Sequence, residues 1–156
     1  MKILVVADTH DNLPNIKKVL ELAAERSVEA IIHLGDIVSP FAAKPFAASG
    51  ITTYAVFGNN DGEKEGLRSI LDIEKPPRLL ELAGKRLLLV HNLGTLGEQE
   101  KRGADAVLFG HTHRAGVEKE GQVLMLNPGE AGGWLFGRAT CALLDLDAMH
   151  AEIVDL

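Results

Sequence analysis

At 156 residues, with 46% hydrophobic and 24% charged side chains, the chain has the composition of a soluble globular protein. Residues 1–156 are read as one domain, able to bury about two-thirds of its unfolded surface. Its net charge of −6, from 16 Lys and Arg against 22 Asp and Glu, leaves no basic stripe for a duplex, so a nucleic-acid polymer is not the expected partner. The single cysteine, Cys141, excludes an internal disulfide and a multi-Cys zinc site, and its apolar surroundings predict a buried structural thiol. No apolar run approaches the roughly 20 residues that cross a bilayer or forms a secretory h-region, so no membrane association and a reduced, cytoplasmic location are expected.

Residues 2–7 predict a buried strand, and residues 13–26 a helix with Leu13, Ile16, Val19, Leu20, Ala23 and Ala24 on one face. Pro14 is acceptable in the first turn of that helix. Strands follow at 30–34 and 51–57, with a helix at 40–49 closed by Gly50 between them. A run of this kind implies a parallel sheet with right-handed crossovers. The second half changes character. Residues 78–83 and 85–90 read as a hairpin about Gly84, and 97–102 as a short helix. A strand at 106–109 precedes a hairpin at 115–119 and 122–126, and a last strand pair at 138–146 and 150–154. The expected fold is α/β, with two mixed sheets packed face to face and helices outside.

Short polar signatures follow the apolar runs: Asp8-Thr9-His10, Gly35-Asp36, Gly58-Asn59-Asn60-Asp61, His91, and Gly110-His111-Thr112-His113. Open α/β sheets place ligands beyond the carboxyl ends of their strands. If these strands run side by side, Asp8, His10, Asp36, Asn59, His91, His111 and His113 share one rim. Two carboxylates, four imidazoles and one carboxamide gathered there have the chemistry of a metal site. Gly35 and Gly58 give the backbone room to turn. Singly, each signature also reads as something plainer: Asp8 as a loop carboxylate, Gly58-Asn59 as a turn, His91 as a satisfied strand-end histidine. Five strand ends bearing ligand-type residues together favour function.

This series resembles the calcineurin-like metallophosphoesterase superfamily. The compactness, the motif order and the Asn127-Pro128-Gly129 turn are similar to its small single-domain phosphodiesterase branch. The resemblance spans Ile3 to Gly129 and implies a four-layer sandwich of two mixed sheets flanked by helices. It also implies a dinuclear metal centre, with Asp8, His10, Asp36 and His113 on one ion and Asp36, Asn59, His91 and His111 on the other. Asp36, Asn59 and His91 would act catalytically through the metals, in a phosphodiesterase where hydroxide bridging the ions attacks phosphorus. The imidazole-rich set favours Mn²⁺, or Ni²⁺, Co²⁺, Fe²⁺ or Zn²⁺, over Mg²⁺.

The chain departs from the family pattern twice. Asn60 stands where many members carry the histidine that protonates the leaving group, so no general acid is assigned. His91-Asn92-Leu93 replaces a His-Gly-His motif but keeps the ligand. Asp61 is expected to cap a helix beginning near Gly62 or to brace the site. The expected partner is a small phosphorylated substrate, a diester over a monoester, and a homodimer is compatible with the sequence. A non-enzymatic scaffold on the same fold and a nuclease are the alternatives. His33 is read as a packed histidine or a donor to the site, His150 as solvated, and Lys64 and Arg68 as a solvated helix face that could approach a phosphate. Residues 130–134 form a Gly-rich connector or substrate rim, and Trp134-Leu135-Phe136 either core or a face for a second subunit.

Overall fold

The structure is a computed structural model that describes residues 1–97 and 99–156. The first sheet contains β1 (Lys2–Val6), β2 (Ala30–His33), β3 (Thr52–Val56) and β4 (Asp72–Glu74), joined by α1 (Leu13–Glu25), α2 (Pro40–Ala48) and α3 (Lys64–Arg68). The second sheet contains β5 (Arg78–Leu82), β6 (Lys85–Val90), β7 (Ala106–Phe109), β8 (Gly116–Glu120) and β9 (Val123–Asn127). The chain then returns to the first sheet as β10 (Thr140–Asp145) and β11 (His150–Asp155). Strand orders are β11-β10-β1-β2-β3-β4 and β5-β6-β7-β9-β8. The centre of each sheet is parallel (β1 to β4; β6, β7 and β9), with antiparallel strands outside. The expected two mixed sheets are present.

Alternation along each strand builds the layers, since successive side chains point to opposite faces. Ile3, Val5, Ile32, Leu34 and Val56 face Leu87, Leu89, Leu108, Leu124 and Leu126 between the sheets. Leu4, Val6, Ile31 and Ala55 face the helices, where Ile16, Val19 and Ala23 of α1 repeat at helical spacing beside Phe46 of α2. Full burial of each such aliphatic side chain contributes about 1.5–3 kcal/mol. Among the described residues, the α-helices cover only the first sheet. The outer face of the second (Leu88, Val90, Val107, Met125) is covered by Leu93 and Leu96, around a 3₁₀ turn at Leu93–Thr95.

The helix expected over 97–102 includes Glu98, which lies outside the described residues; around it residues 99–103 run as turns. The Arg102 N–H to Gln99 O bond spans three residues, so residues 99–103 form tight turns and not an α-helix. Strand β4 was not foreseen, because three residues carry no period. Buried Arg78 on β5 clips the sheets together, donating to Ala55 O at 3.2 Å, Asp72 O at 3.0 Å and Asp72 Oδ2 at 2.8 Å. Cys141 is buried, and burial pushes its thiol up to about 12. No helix among the described residues is long and apolar enough to cross a membrane.

Candidate metal centre

Strands β1, β2, β3, β6 and β7 all end at one pole, and the loops that leave them carry the seven side chains named from the sequence. Close approach of two loops sets the geometry. Gly35 has φ +100°, and a Cβ there would lie 2.6 Å from Gly58 N; a Cβ on Gly58 would lie 2.1 Å from Asp36 Oδ1. Only glycine lets these two backbones touch beneath Asp36.

Asp8 Oδ1 lies 3.8 Å from His10 Nε2 and 3.6 Å from His113 Nε2. The His10 and His113 rings stack with centroids 5.5 Å apart. Asp36 Oδ2 lies 3.6 Å from His10 Nε2 and 3.5 Å from His91 Nε2, between the two groups. His91 Nε2 faces Asn59 Oδ1 at 2.9 Å, and the His111 ring stands edge-on to His91 at 5.0 Å. Donor atoms of Asp8, His10 and His113 fall within 4.8 Å of one another, as do those of Asp8, Asp36 and His91. Asp8 belongs to both triads, whereas the resemblance gives the shared role to Asp36. Asp36 reaches His10 and His91 through one oxygen, so both carboxylates stand on the midline.

The residues fit divalent cations. Asp8 Oδ1 and His10 Nε2 are buried polar atoms without a hydrogen-bond partner, an expensive arrangement that a metal ion relieves. The Leu34 carbonyl only accepts, so at 2.8 Å it takes the proton of His91 Nδ1. Burial lowers the pKa of His91, against the opposing charge of Asp36, and keeps the ring neutral. Its Nε2 therefore offers a lone pair toward Asn59 Oδ1, a second lone pair, and a cation belongs between two such groups. Burial, helped by the charge of Asp36 and opposed by His113, pushes the Asp8 carboxyl up to about 7.

A ring of further residues holds these groups in place. Asp61 accepts from Asp36 N (3.0 Å), Val38 N (2.7 Å) and Gly58 N (2.7 Å). It caps no helix: α3 begins after Glu63, and Asp61 braces the Asp36 and Asn59 loops together. Asn60 donates from N and from Nδ2 to the two Asp36 oxygens, each at 2.7 Å. His33 is fully buried, 3.0 Å from Thr9 Oγ1, and accepts at Nδ1 from Gly35 N. His150 is exposed, as expected.

Two residues escaped the sequence reading. Glu130, expected in a connector, is fully buried and holds His113 Nδ1 at 2.7 Å. Burial opposes its ionisation, but His113 and the Phe136 and Leu135 amides outweigh that and keep its pKa low. Asn127 donates to Gly110 O and Thr112 Oγ1, fixing the His111–His113 loop. An acid inside the otherwise apolar run 130–134 was the available signal for Glu130. Trp134, Leu135 and Phe136 are not core: they are 67%, 63% and 52% exposed, and Trp134 Nε1 donates to His10 O at the rim of the pole.

Carboxylates and imidazoles converging where two mixed sheets end make the donor set of a metal-dependent protein. Residues 1–149 match the calcineurin-like phosphoesterase superfamily domain, and the chain belongs to that superfamily. It is 38% identical to Phosphodiesterase MJ0936 of Methanocaldococcus jannaschii, over 99% of each chain. It is 29% identical to Phosphodiesterase YfcE of Escherichia coli, over 96% of this chain and 90% of the relative. A solved archaeal phosphodiesterase superposes over 100% of both chains with a TM-score of 0.93 at 36% identity.

Proposed function

We propose that this pole holds two divalent cations and that the chain hydrolyses small phosphodiesters. Asp8, His10, His113 and Asp36 would hold one ion, and Asp36, Asn59, His91 and His111 the other. The observation that carries this reading is the pair of unpartnered buried atoms, Asp8 Oδ1 and His10 Nε2, amid converging lone pairs. Cations bound there would lower the pKa of a water and neutralise charge developing at phosphorus. An imidazole-rich set of this kind suits Mn²⁺ first, then Ni²⁺, Co²⁺, Fe²⁺ or Zn²⁺.

The chain's own residues supply orientation. Asn60 aims both Asp36 oxygens through its two bonds, Asp61 fixes the peptide beneath them, and Glu130 fixes the His113 ring. A carboxamide cannot surrender a proton at neutral pH, so no side chain at position 60 protonates the leaving group. Substrates with good leaving groups, aryl diesters above all, are therefore favoured. The net charge of −6 disfavours long polyanions, which supports a small substrate over a nucleic acid. The names of the two relatives as phosphodiesterases support the diester over the monoester.

Hydrolysis of bis-p-nitrophenyl phosphate and of p-nitrophenyl phosphate, after chelation and metal add-back, tests the reading. The expected result is metal-restored turnover of the diester. Faster turnover of the monoester would make the protein a phosphomonoesterase, and no turnover of either with any metal would return it to a scaffold. With a series of aryl and alkyl leaving groups, Asn60→His is expected to help the poorest leaving groups most, by about 10²-fold.

A further inference from the structure

Beside the pole lies a cavity of about 400 Å³ whose wall includes Asn59, His91 and His111 together with Lys64, Arg68 and Lys75. Among the described residues, no Asp or Glu lines it. In a chain with a net charge of −6, three of the 16 basic residues line this one cavity. The helix face expected to be merely solvated is therefore a wall of this cavity.

Lys64 and Arg68 stand one turn apart on α3, a like-charged spacing that destabilises a helix by a few tenths of a kcal/mol. Both lean on the ring of Phe57, with Lys64 Nζ 5.7 Å and Arg68 Cζ 5.0 Å from its centroid. Phe57 itself is buried and lines the cavity, so its ring face carries both charged heads at the cavity wall. Glu65 takes one Arg68 nitrogen at 2.6 Å from outside the cavity, leaving the other donors of the guanidinium fork. Lys75 follows β4 where that strand reaches the pole, and enters the cavity from a second element.

The geometry points to a subsite for a second phosphate: the natural substrate is a small phosphodiester one of whose arms ends in a further phosphate group, held by Lys64, Arg68 and Lys75. This rests on reading the pole as the phosphodiesterase site. A phosphate there meets three cations from two elements, with charge-assisted bonds that a neutral arm does not form. It also relieves the repulsion between Lys64 and Arg68.

Two esters that differ by one phosphate test this: thymidine 5′-(p-nitrophenyl phosphate) with and without a 3′-phosphate. Both release p-nitrophenolate, so the bond broken is the same. In the wild type at low salt, the 3′-phosphate is expected to raise kcat/KM on the order of tenfold. In the triple variant Lys64→Gln/Arg68→Gln/Lys75→Gln the ratio falls to near one, and Lys75→Gln alone gives an intermediate ratio. A wild-type ratio of one or below, or an unchanged ratio in the triple variant, overturns the subsite. Calorimetry on chelated protein separates this from failure of the catalytic reading. Thymidine 3′,5′-bisphosphate should bind more tightly than thymidine 5′-phosphate to the wild type, and equally to the triple variant. If neither ester is cleaved with any metal but that binding difference persists, the catalytic reading falls and the subsite stands. If both esters are cleaved and the wild type does not distinguish the two nucleotides, the subsite falls alone.

Discussion

The two ends of the sheets use left-handed backbone for different purposes. At the end away from the pole, the non-glycine residues with positive φ are Ser27, Ala83 and Met149, each in a tight connection before or after a strand. At the pole they are Asp8, His10, Asp11, Asp36, Val38, His111 and His113. Five of those seven are proposed ligands. A left-handed conformation costs about 1–2 kcal/mol for an ordinary residue, somewhat less for Asp and His, and persists only where the surroundings over-determine it. At the far end the strain reverses the chain. At the pole it aims side chains, and the same loops bury polar atoms that have no partner. One end is organised for stability, the other for a ligand it must wait for.

The largest effect that tests this contrast comes from Asp8→Asn. Activity should fall by on the order of 10³-fold or more, because a charged ligand is lost. In metal-free protein at pH 8 the same change should raise stability by about 1–3 kcal/mol, since a carboxyl pushed up to about 7 is disfavoured as an anion. Its Nδ2 also gives the facing His10 and His113 lone pairs a donor. Thermal melts check both signs, and a less stable metal-free variant would break the contrast. Wild-type protein with a divalent cation at about 100 Kd should gain about 2.7 kcal/mol, a rise of roughly 5–10 °C in Tm. That rise should vanish in Asp8→Asn.

Glu130→Gln sharpens the picture at the next scale down. Loss of the carboxylate that orients His113 is expected to weaken metal affinity by about 10- to 100-fold, read by competition with a chelating dye. Stability in acid then separates the pole's titrating groups. Burial lowers His33 to about 3 against an ordinary 6.5, so the stability tied to its neutral form is present above pH 6.5 and lost as pH falls toward 3. Asp8, raised from 3.8 to about 7, acts in the opposite sense, its contribution being lost as pH rises through 7. Between pH 4.5 and 6.5 the two oppose each other in chelated wild-type protein, while His91, also lowered by burial, adds to the His33 sense. His33→Asn removes the His33 contribution, so relative to the wild type its stability should decline with rising pH by up to about 1.4 kcal/mol per unit. A profile parallel to the wild type across that window would exclude His33 as the titrating group.

How much of this could be read beforehand depends on the range of the interactions. The strands at 30–34 and 85–90 and the helix at 13–26 were legible because Ile31, Leu87, Leu89, Ile16 and Val19 repeat at local periods set by burial. The seven candidate ligands were legible because each follows such a strand directly. Glu130 was not, since its role depends on His113, which arrives from β7 through the His111–His113 loop. Asp61 reads as either a cap or a brace, because a polar residue before Gly62 is a local signal, while the three donors that decide for the brace lie as far as 25 positions away. The cavity with Lys75 needs α3 and β4 side by side, and β4 is too short to announce itself.

The smallest predicted effect separates strain that serves the site from strain that does not. Val38 has φ 83°, a β-branched residue in a conformation that favours glycine, and its amide donates to Asp61 Oδ1 at 2.7 Å. Ala83 has φ 49° in the far hairpin, next to Gly84. Ala83→Gly should change stability by less than about 1 kcal/mol and leave activity alone, because backbone relief there offsets the extra freedom of the unfolded chain. Val38→Gly relieves more strain, so folding stability should hold or rise by up to about 1 kcal/mol. It also loosens the peptide that Asp61 clamps beside Asp36. Metal affinity is therefore expected to drop severalfold in Val38→Gly and not in Ala83→Gly, measured by the same dye competition. Equal affinities in the two variants would mean that the left-handed turn at Val38 is only a bend in the chain, like its counterparts at the other end.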